Sequence, residues 1–69
     1  MATVARPQLS PRQQQILALM ARGVRVREIA AQLGLSETTV RNHVRGILKR
    51  LGCHSQLEAV ARAREWHLL

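Results

Sequence analysis

The segment from Arg27 to Leu51 restricts the fold of this chain more than any other part of the sequence. In its first half, apolar residues recur at the spacing of an amphipathic helix, at Ile29, Ala30 and Leu33. Gly34 then has the backbone freedom that commonly ends a helix. Ser36 is a favourable N-cap for a following helix, because its hydroxyl can accept a hydrogen bond from a free backbone N–H. The sequence therefore predicts two helices joined by a tight turn.

The second of these helices has two chemically different faces. At about 100° per residue, apolar side chains occupy one arc that must be buried, at Val40, Val44, Ile47, Leu48 and Leu51. The opposite arc carries Thr38, Asn42, Arg45 and Lys49, with Arg41 at its edge. Arginine and asparagine hydrogen-bond base edges in the major groove of DNA, and cations contact phosphates. We interpret this helix as a DNA-recognition helix; the alternative is a basic face that is merely solvated, although acids would normally be mixed into such a face.

Charge and composition favour a polyanionic partner. The 69 residues suffice for one domain with one small helical core. Lys and Arg total 11 against 4 acidic residues, which gives a net charge of +7. Aromatic residues make up 1% of the chain, which argues against modules that stack single-stranded bases on exposed rings. Double-stranded DNA is therefore the expected partner.

The sequence gives no indication of a membrane or secreted protein. No apolar run approaches the ~20 residues that span a bilayer, and the segment from Met1 to Pro7 lacks the apolar centre of a signal peptide. The single Cys53 cannot form an internal disulfide, which fits a reducing compartment. We expect a cytoplasmic protein.

Apolar periodicity and turn residues predict an all-α domain. Residues 1–8 have no periodicity and are expected to form a flexible N-terminal arm or a linker remnant, whereas residues 9–69 form the helix-turn-helix domain. No strand pattern is visible. The predicted four-helix, or tetrahelical, fold has helices at about 10–22, 26–33, 36–51 and 55–67.

Three helix starts carry distinct capping signals. Ser10 and Gln13 have the spacing of a capping box, and Ser55 and Glu58 repeat it before the last helix. The second helix instead begins beside Arg25, which cannot act as a cap. We therefore predict that this helix start lacks a side-chain cap.

No constellation of residues indicates catalysis or metal binding. The four glutamates are scattered, so no carboxylate pair is available for acid–base chemistry. Cys53, His54 and His67 match no strong zinc signature and leave one ligand missing. The sequence predicts no enzyme activity, no catalytic residue, no metal site and no cofactor.

With these residues placed, the chain closely resembles the DNA-binding domain of the LuxR/FixJ (NarL-like) family of bacterial transcription regulators. The resemblance extends from Leu9 to about Ala63. It is carried by L-S-P-R, R-E-I-A-A-Q-L-G-L-S-E-T-T-V-R-N-H-V, I-L-K-R-L-G and E-A-V-A-R-A. It implies a tetrahelical domain in which the second helix is the scaffold, the third enters the major groove and the fourth mediates dimer contact.

The resemblance also implies which side chains touch DNA. The family's base-reading positions fall on Arg41, Asn42 and Arg45. Its backbone-contacting positions fall on Arg27, Ser36, Thr39, His43 and Lys49. Thr38 joins the backbone contacts because it shares the exposed face. The chain departs from the usual pattern at Gln13, Arg25 and Gln56, none of which lies on that face.

Two questions stay open at this point. The chain is interpreted either as an excised effector domain or as one of the family's stand-alone regulators. A rival hypothesis is an interaction module whose basic face docks an acidic protein such as an RNA polymerase subunit. The operator, the regulated genes, the direction of regulation and the input signal are not encoded in any visible motif.

The last helix is predicted to form the dimer contact. We expect Leu57, Val60 and Ala61 to face the core, which would leave an outward stripe of Ala59, Arg62, Ala63 and Trp66. The alternative is that Trp66 folds back over the edge of the core. So small a surface predicts a monomer in free solution and a homodimer on DNA.

Overall fold

The computed structural model describes residues 8–69, which fold into four α-helices with no strand among them. The helices are α1 (Pro11–Ala21), α2 (Val26–Leu33), α3 (Glu37–Leu51) and α4 (Gln56–Glu65). The predicted all-α, four-helix class is therefore confirmed. The arm predicted at residues 1–8 lies outside the described residues, except for the exposed Gln8.

The helices are slightly shorter than predicted, because the capping serines are not themselves helical. Ser10, Ser36 and Ser55 have extended backbone, and each accepts a hydrogen bond from the backbone N–H three residues on. These three helices therefore begin one residue later than expected. At its other end α4 stops at Glu65, and His67 adopts a left-handed φ of 55°.

The predictions for the helix starts are confirmed at α1, α2 and α3 and wrong in one detail at α4. Gln13 N–H donates to Ser10 Oγ at 3.0 Å, and Ser10 N–H donates to Gln13 Oε1 at 2.9 Å, which completes a capping box. Arg25 makes no side-chain capping bond to α2, as predicted.

The start of α4 is only half of the predicted capping box. Glu58 N–H donates to Ser55 Oγ at 3.1 Å, but the Glu58 carboxylate accepts from His54 N–H at 3.3 Å instead of from Ser55. Ser55 has a φ of −145°, against −64° at Ser10, and this rotation turns its N–H away from the carboxylate.

The core lies around α3, which packs against each of the other three helices. Its members are Ile16, Leu17, Met20, Ile29, Ala30, Val40, Val44, Ile47, Leu51, Cys53, Ala59 and Ala63. Among residues 8–69 no polar or charged residue is buried. Gly46 contributes by having no side chain, since a Cβ there would lie 3.0 Å from the side-chain nitrogen of Gln13 on α1.

The orientation of α4 contradicts the prediction for that helix. Leu57 is 82% exposed, whereas Ala59 and Ala63 are fully buried. Ala61 is exposed and Val60 is half-buried, although both were expected in the core. The physical reason is the small size of these two alanines. Their methyl groups lie four residues apart on one side of α4 and let this helix pack close against the core. Ala59 and Ala63 are therefore not available for a dimer contact.

The other two residues of the predicted outward stripe are engaged within their own chain. Arg62 is half-buried and donates to Leu51 O at 2.9 Å. Its guanidinium carbon lies 5.6 Å from the centroid of the Trp66 ring. Trp66 is partly buried and packs against the core cluster. The alternative prediction, that this ring covers the edge of the core, is confirmed.

Candidate nucleic-acid interface

The turn between α2 and α3 sets the direction of the exposed helix. Gly34 ends α2 with a left-handed φ of 68°, a conformation that glycine adopts without steric cost. Leu35 N–H donates to Ala30 O at 2.9 Å and closes the last turn of α2. Thr39 N–H donates to Ser36 Oγ at 3.1 Å, so α3 begins at once. A three-residue connection bonded at both ends leaves α3 little freedom relative to α2.

Burial divides α3 into the two faces that its sequence predicts. Its inner side is in the core, with Val40, Val44, Ile47 and Leu51 buried. Its outer face is exposed and consists of Thr38, Arg41, Asn42, Arg45 and Lys49. At about 100° per residue these five side chains share one arc of roughly 100°. The structure therefore brings the three predicted base-contacting residues together on one exposed surface.

No acidic side chain in the described part of the chain neutralises the outer face of α3. Within residues 8–69, no side-chain hydrogen bond or ion pair engages Arg41, Asn42, Arg45 or Lys49. The described ion pair joins Arg62 to Glu58 on α4, with 3.7 Å between Arg62 Nη2 and Glu58 Oε1. The cations of the outer face therefore remain available for an anionic ligand.

Two hydroxyl groups at the start of α3 form an internal pair. Ser36 Oγ donates to Thr39 Oγ1 at 2.9 Å and accepts from Thr39 N–H. The pair has two hydroxyl protons and uses one of them in this bond. In this arrangement the Thr39 hydroxyl keeps its proton for an external acceptor, while Ser36 is occupied with capping.

The remaining predicted contacts lie beside the outer face. Arg27 is exposed on the first turn of α2, and His43 is half-buried on the flank of α3. Neither side chain takes part in a hydrogen bond or ion pair with another described residue. They extend the cationic and polar surface beyond α3.

The three residues examined as possible metal ligands, Cys53, His54 and His67, do not form a ligand set. Cys53 is buried, with its thiol donating to Leu51 O at 3.5 Å, whereas His54 and His67 are exposed. Residues 8–69 contain no group of three or more His, Cys, Asp or Glu side chains arranged to hold a metal. In the same part of the chain, no helix is both long and apolar enough to cross a membrane.

The fold and the exposed face define a helix-turn-helix domain of the kind that binds DNA. The chain belongs to the luxR family of bacterial regulatory proteins, whose family model matches residues 7–63. This membership confirms the resemblance seen in the sequence. The described helices thus form the helix-turn-helix domain of this family, which implies DNA binding, and relatives that the chain matches are described as transcriptional regulators.

Relatives of known description support this membership. The chain is 34% identical over 56 residues to the spore germination protein GerE of Bacillus subtilis, covering 81% of this chain and 76% of GerE. The solved structure of GerE has a TM-score of 0.83 at 31% identity and covers 88% of this chain and 91% of GerE. A probable HTH-type transcriptional regulator, GfsR of Streptomyces halstedii, is 43% identical over 54 residues, or 78% of this chain.

Several relatives are much longer than this chain. The match covers 22% of GfsR. The crystal structure of ChrA, a response regulator of a heme-sensing two-component system, has a TM-score of 0.87 at 35% identity. That alignment covers 96% of this chain but 33% of ChrA. This chain thus spans 22% to 33% of the length of these two relatives.

One exposed apolar surface was not predicted from the sequence pattern. An apolar groove of about 290 Å³ lies between α1 and α4. It is lined by Met20, Ala21, Gly23, Gln56, Leu57 and Val60. The available signal was the position of Leu57 between Gln56 and Glu58, where an outward apolar side chain is flanked by polar residues.

Proposed function

We propose that this chain binds double-stranded DNA sequence-specifically, with α3 in the major groove, and thereby regulates bacterial transcription. The exposed, unpaired set of Arg41, Asn42 and Arg45 carries this proposal. A guanidinium group can make two hydrogen bonds to guanine, and an amide can make two to adenine. Family membership supports DNA binding in general, and the outer face of α3 supplies the side chains for sequence preference.

The surrounding polar residues are proposed to contact the phosphate backbone. These residues are Arg27, Thr38, Thr39, His43 and Lys49, together with Ser36, whose hydroxyl would have to turn from Thr39 to a phosphate oxygen. Lys49 supplies a cation, and Thr39 supplies the hydroxyl proton that its pair with Ser36 leaves unused. Such contacts fix the position of α3 on the duplex without reading the sequence. We assign this function to residues 9–69 and place it in the bacterial cytoplasm.

A homodimer on DNA is also proposed, with a contact surface different from the one that the sequence predicted. Leu57 is 82% exposed and Ala61 lies one turn further along the same side of α4. This apolar pair, next to the groove against α1, is suited to meet its own copy across a two-fold axis. The buried alanines of α4 are excluded from this contact.

Selection of bound duplexes from a random pool tests the proposed DNA recognition. We expect a defined motif, and the selected duplex should outcompete random duplex by about 10³-fold or more. Affinity should also fall steeply with salt, since phosphate contacts release counterions. A selection without any motif would contradict sequence-specific binding and favour the acidic-protein hypothesis.

A further inference from the structure

The C-terminal end of α3 is closed by an arginine from α4. The N–H groups of Gly52 and Cys53 return to carbonyls of the last turn, as at many helix ends. The carbonyls that follow are bonded by Arg62, whose Nη1 donates to Leu51 O at 2.9 Å and to Gly52 O at 3.3 Å. A cation at this position also interacts favourably with the negative end of the helix dipole.

Arg62 is itself held in place by two neighbours. Its Nη2 lies 3.7 Å from Glu58 Oε1, and its guanidinium carbon lies 5.6 Å from the centroid of the Trp66 ring. The side chain is 35% exposed. It is thus a partly buried connection between α4 and α3.

Arg64 makes a similar bond to a different helix. Its Nη2 donates to Ala21 O, the last residue of α1, at 3.5 Å. Arg62 and Arg64 have the same charge and lie two residues apart on α4. They therefore form a matched pair in which one arginine contacts the end of α3 and the other contacts the end of α1.

We propose that Arg62 is a positioning residue for DNA recognition. It holds the last turn of α3, and with it Lys49, at the place where the ammonium group meets a phosphate. It acts through Lys49 and the helix backbone, without touching DNA. This inference rests on the proposed DNA binding, because the last turn of α3 has to be held in place only if α3 is the element that meets the duplex.

The first test requires no DNA and compares Arg62→Met with Arg64→Met by amide hydrogen exchange. Methionine keeps an apolar stem and removes the guanidinium. Arg62→Met should raise the exchange rates of the Gly52 and Cys53 amides by about tenfold, because loss of a charged hydrogen bond loosens this turn. Arg64→Met should leave these two rates unchanged. Equal rates at Gly52 and Cys53 in the two variants would overturn the proposal.

The second test measures binding to the selected duplex. Arg62→Met should bind about fivefold to tenfold more weakly than Arg64→Met, although each variant loses one positive charge. The preferred bases should be the same in both. Equal affinity of the two variants would show that Arg62 contributes only net charge, and would overturn the proposal.

If Arg62→Met does not fold, Arg62→Lys can replace it in both the exchange test and the binding test. Lysine retains the charge but cannot donate in the same planar arrangement. It should show faster exchange at Gly52 and Cys53 and weaker DNA binding than the unsubstituted chain; unchanged values of both would overturn the proposal. Failure of the unsubstituted chain to bind any duplex would instead refute the proposed function, while the exchange test would still report on the end of α3.

Discussion

At the scale of single residues, Arg45 and Lys49 are expected to contribute to DNA binding in different ways. Both are exposed on the outer face of α3. Arg45→Ala should cost about 1–3 kcal/mol of binding free energy on the preferred site and relax preference at one base pair, because a guanine contact is lost. Lys49→Ala should weaken binding to all sequences similarly and lower the salt slope by about 1.

Titration of each variant against selected and random duplexes at several salt concentrations separates these effects. The unsubstituted chain is the control in every titration. If both variants lose the same affinity on every duplex, Arg45 only neutralises phosphate and does not read a base.

His67 is a second residue whose backbone permits a prediction. It has a φ of 55°, in the left-handed region that disfavours side chains with a Cβ. It follows Trp66, the C-cap of α4, in the closing turn where Leu68 N–H donates to Ala63 O at 2.8 Å. Gly52 occupies the corresponding place after α3, with a φ of 66°.

Replacing His67 by glycine should therefore relieve backbone strain. His67→Gly is expected to raise the free energy of unfolding by about 0.5–1 kcal/mol, measured by urea denaturation. Gly52→Ala is the matched control and should lower it. A loss of stability in His67→Gly would show that the histidine side chain contributes more than its conformation costs.

At the scale of helices, the start of α2 differs from the other three helix starts because it has no side-chain cap. Arg25 has φ −77° and ψ 155°, the extended conformation usual for an N-cap, but its side chain makes no capping bond. A serine can adopt the same backbone and accept a hydrogen bond from a free N–H. Arg25→Ser should therefore stabilise the domain by about 0.5–2 kcal/mol in thermal or urea unfolding.

Ser55→Ala provides the reciprocal control for this prediction. Ser55 accepts from Glu58 N–H at 3.1 Å, and its loss should destabilise the domain by a similar amount. If Arg25→Ser left stability unchanged while Ser55→Ala reduced it, the absence of a cap at α2 would carry no energetic cost.

Helix starts could be predicted from the sequence because capping is a local property. Ser10, Ser36 and Ser55 bond to N–H groups three residues away, so no tertiary information is needed. The outer face of α3 was predictable for a related reason. The apolar residues of this helix occupy one arc, and its cationic and amide residues occupy the opposite arc. The family resemblance added the expectation that Arg41, Asn42 and Arg45 read bases, and this role stays a prediction.

The orientation of α4 could not be predicted in the same way. Ranking by hydrophobicity places Leu57 inside and Ala63 outside, and the structure has the opposite arrangement. The deciding quantity is the distance between packed helices, which the sequence of one helix does not contain. The bonds from Arg62 to α3 and from Arg64 to α1 were missed for the same reason, because they depend on which helix ends lie beside α4.

At the scale of the whole molecule, the small apolar surface of α4 has consequences for assembly. Leu57 and its surroundings form a patch far below the ~800 Å² per partner of a standard stable interface. The free domain should therefore be monomeric at micromolar concentration, as sedimentation can test. Two copies on adjacent half-sites about one helical turn apart would be held at high effective concentration, so a weak contact could then form.

This arrangement predicts cooperative binding that depends on Leu57. Leu57→Glu should reduce cooperativity on a duplex with two half-sites, because two carboxylates would meet across the two-fold axis, while affinity for one half-site changes little. Ala18→Glu is the matched control, since it adds the same charge at an exposed position on α1.

Ala63→Glu would be an unsuitable test, because Ala63 is fully buried and the charge would unfold the domain. If titrations of both duplexes show that cooperativity survives Leu57→Glu at the level of Ala18→Glu, two copies on DNA do not meet through this side of α4.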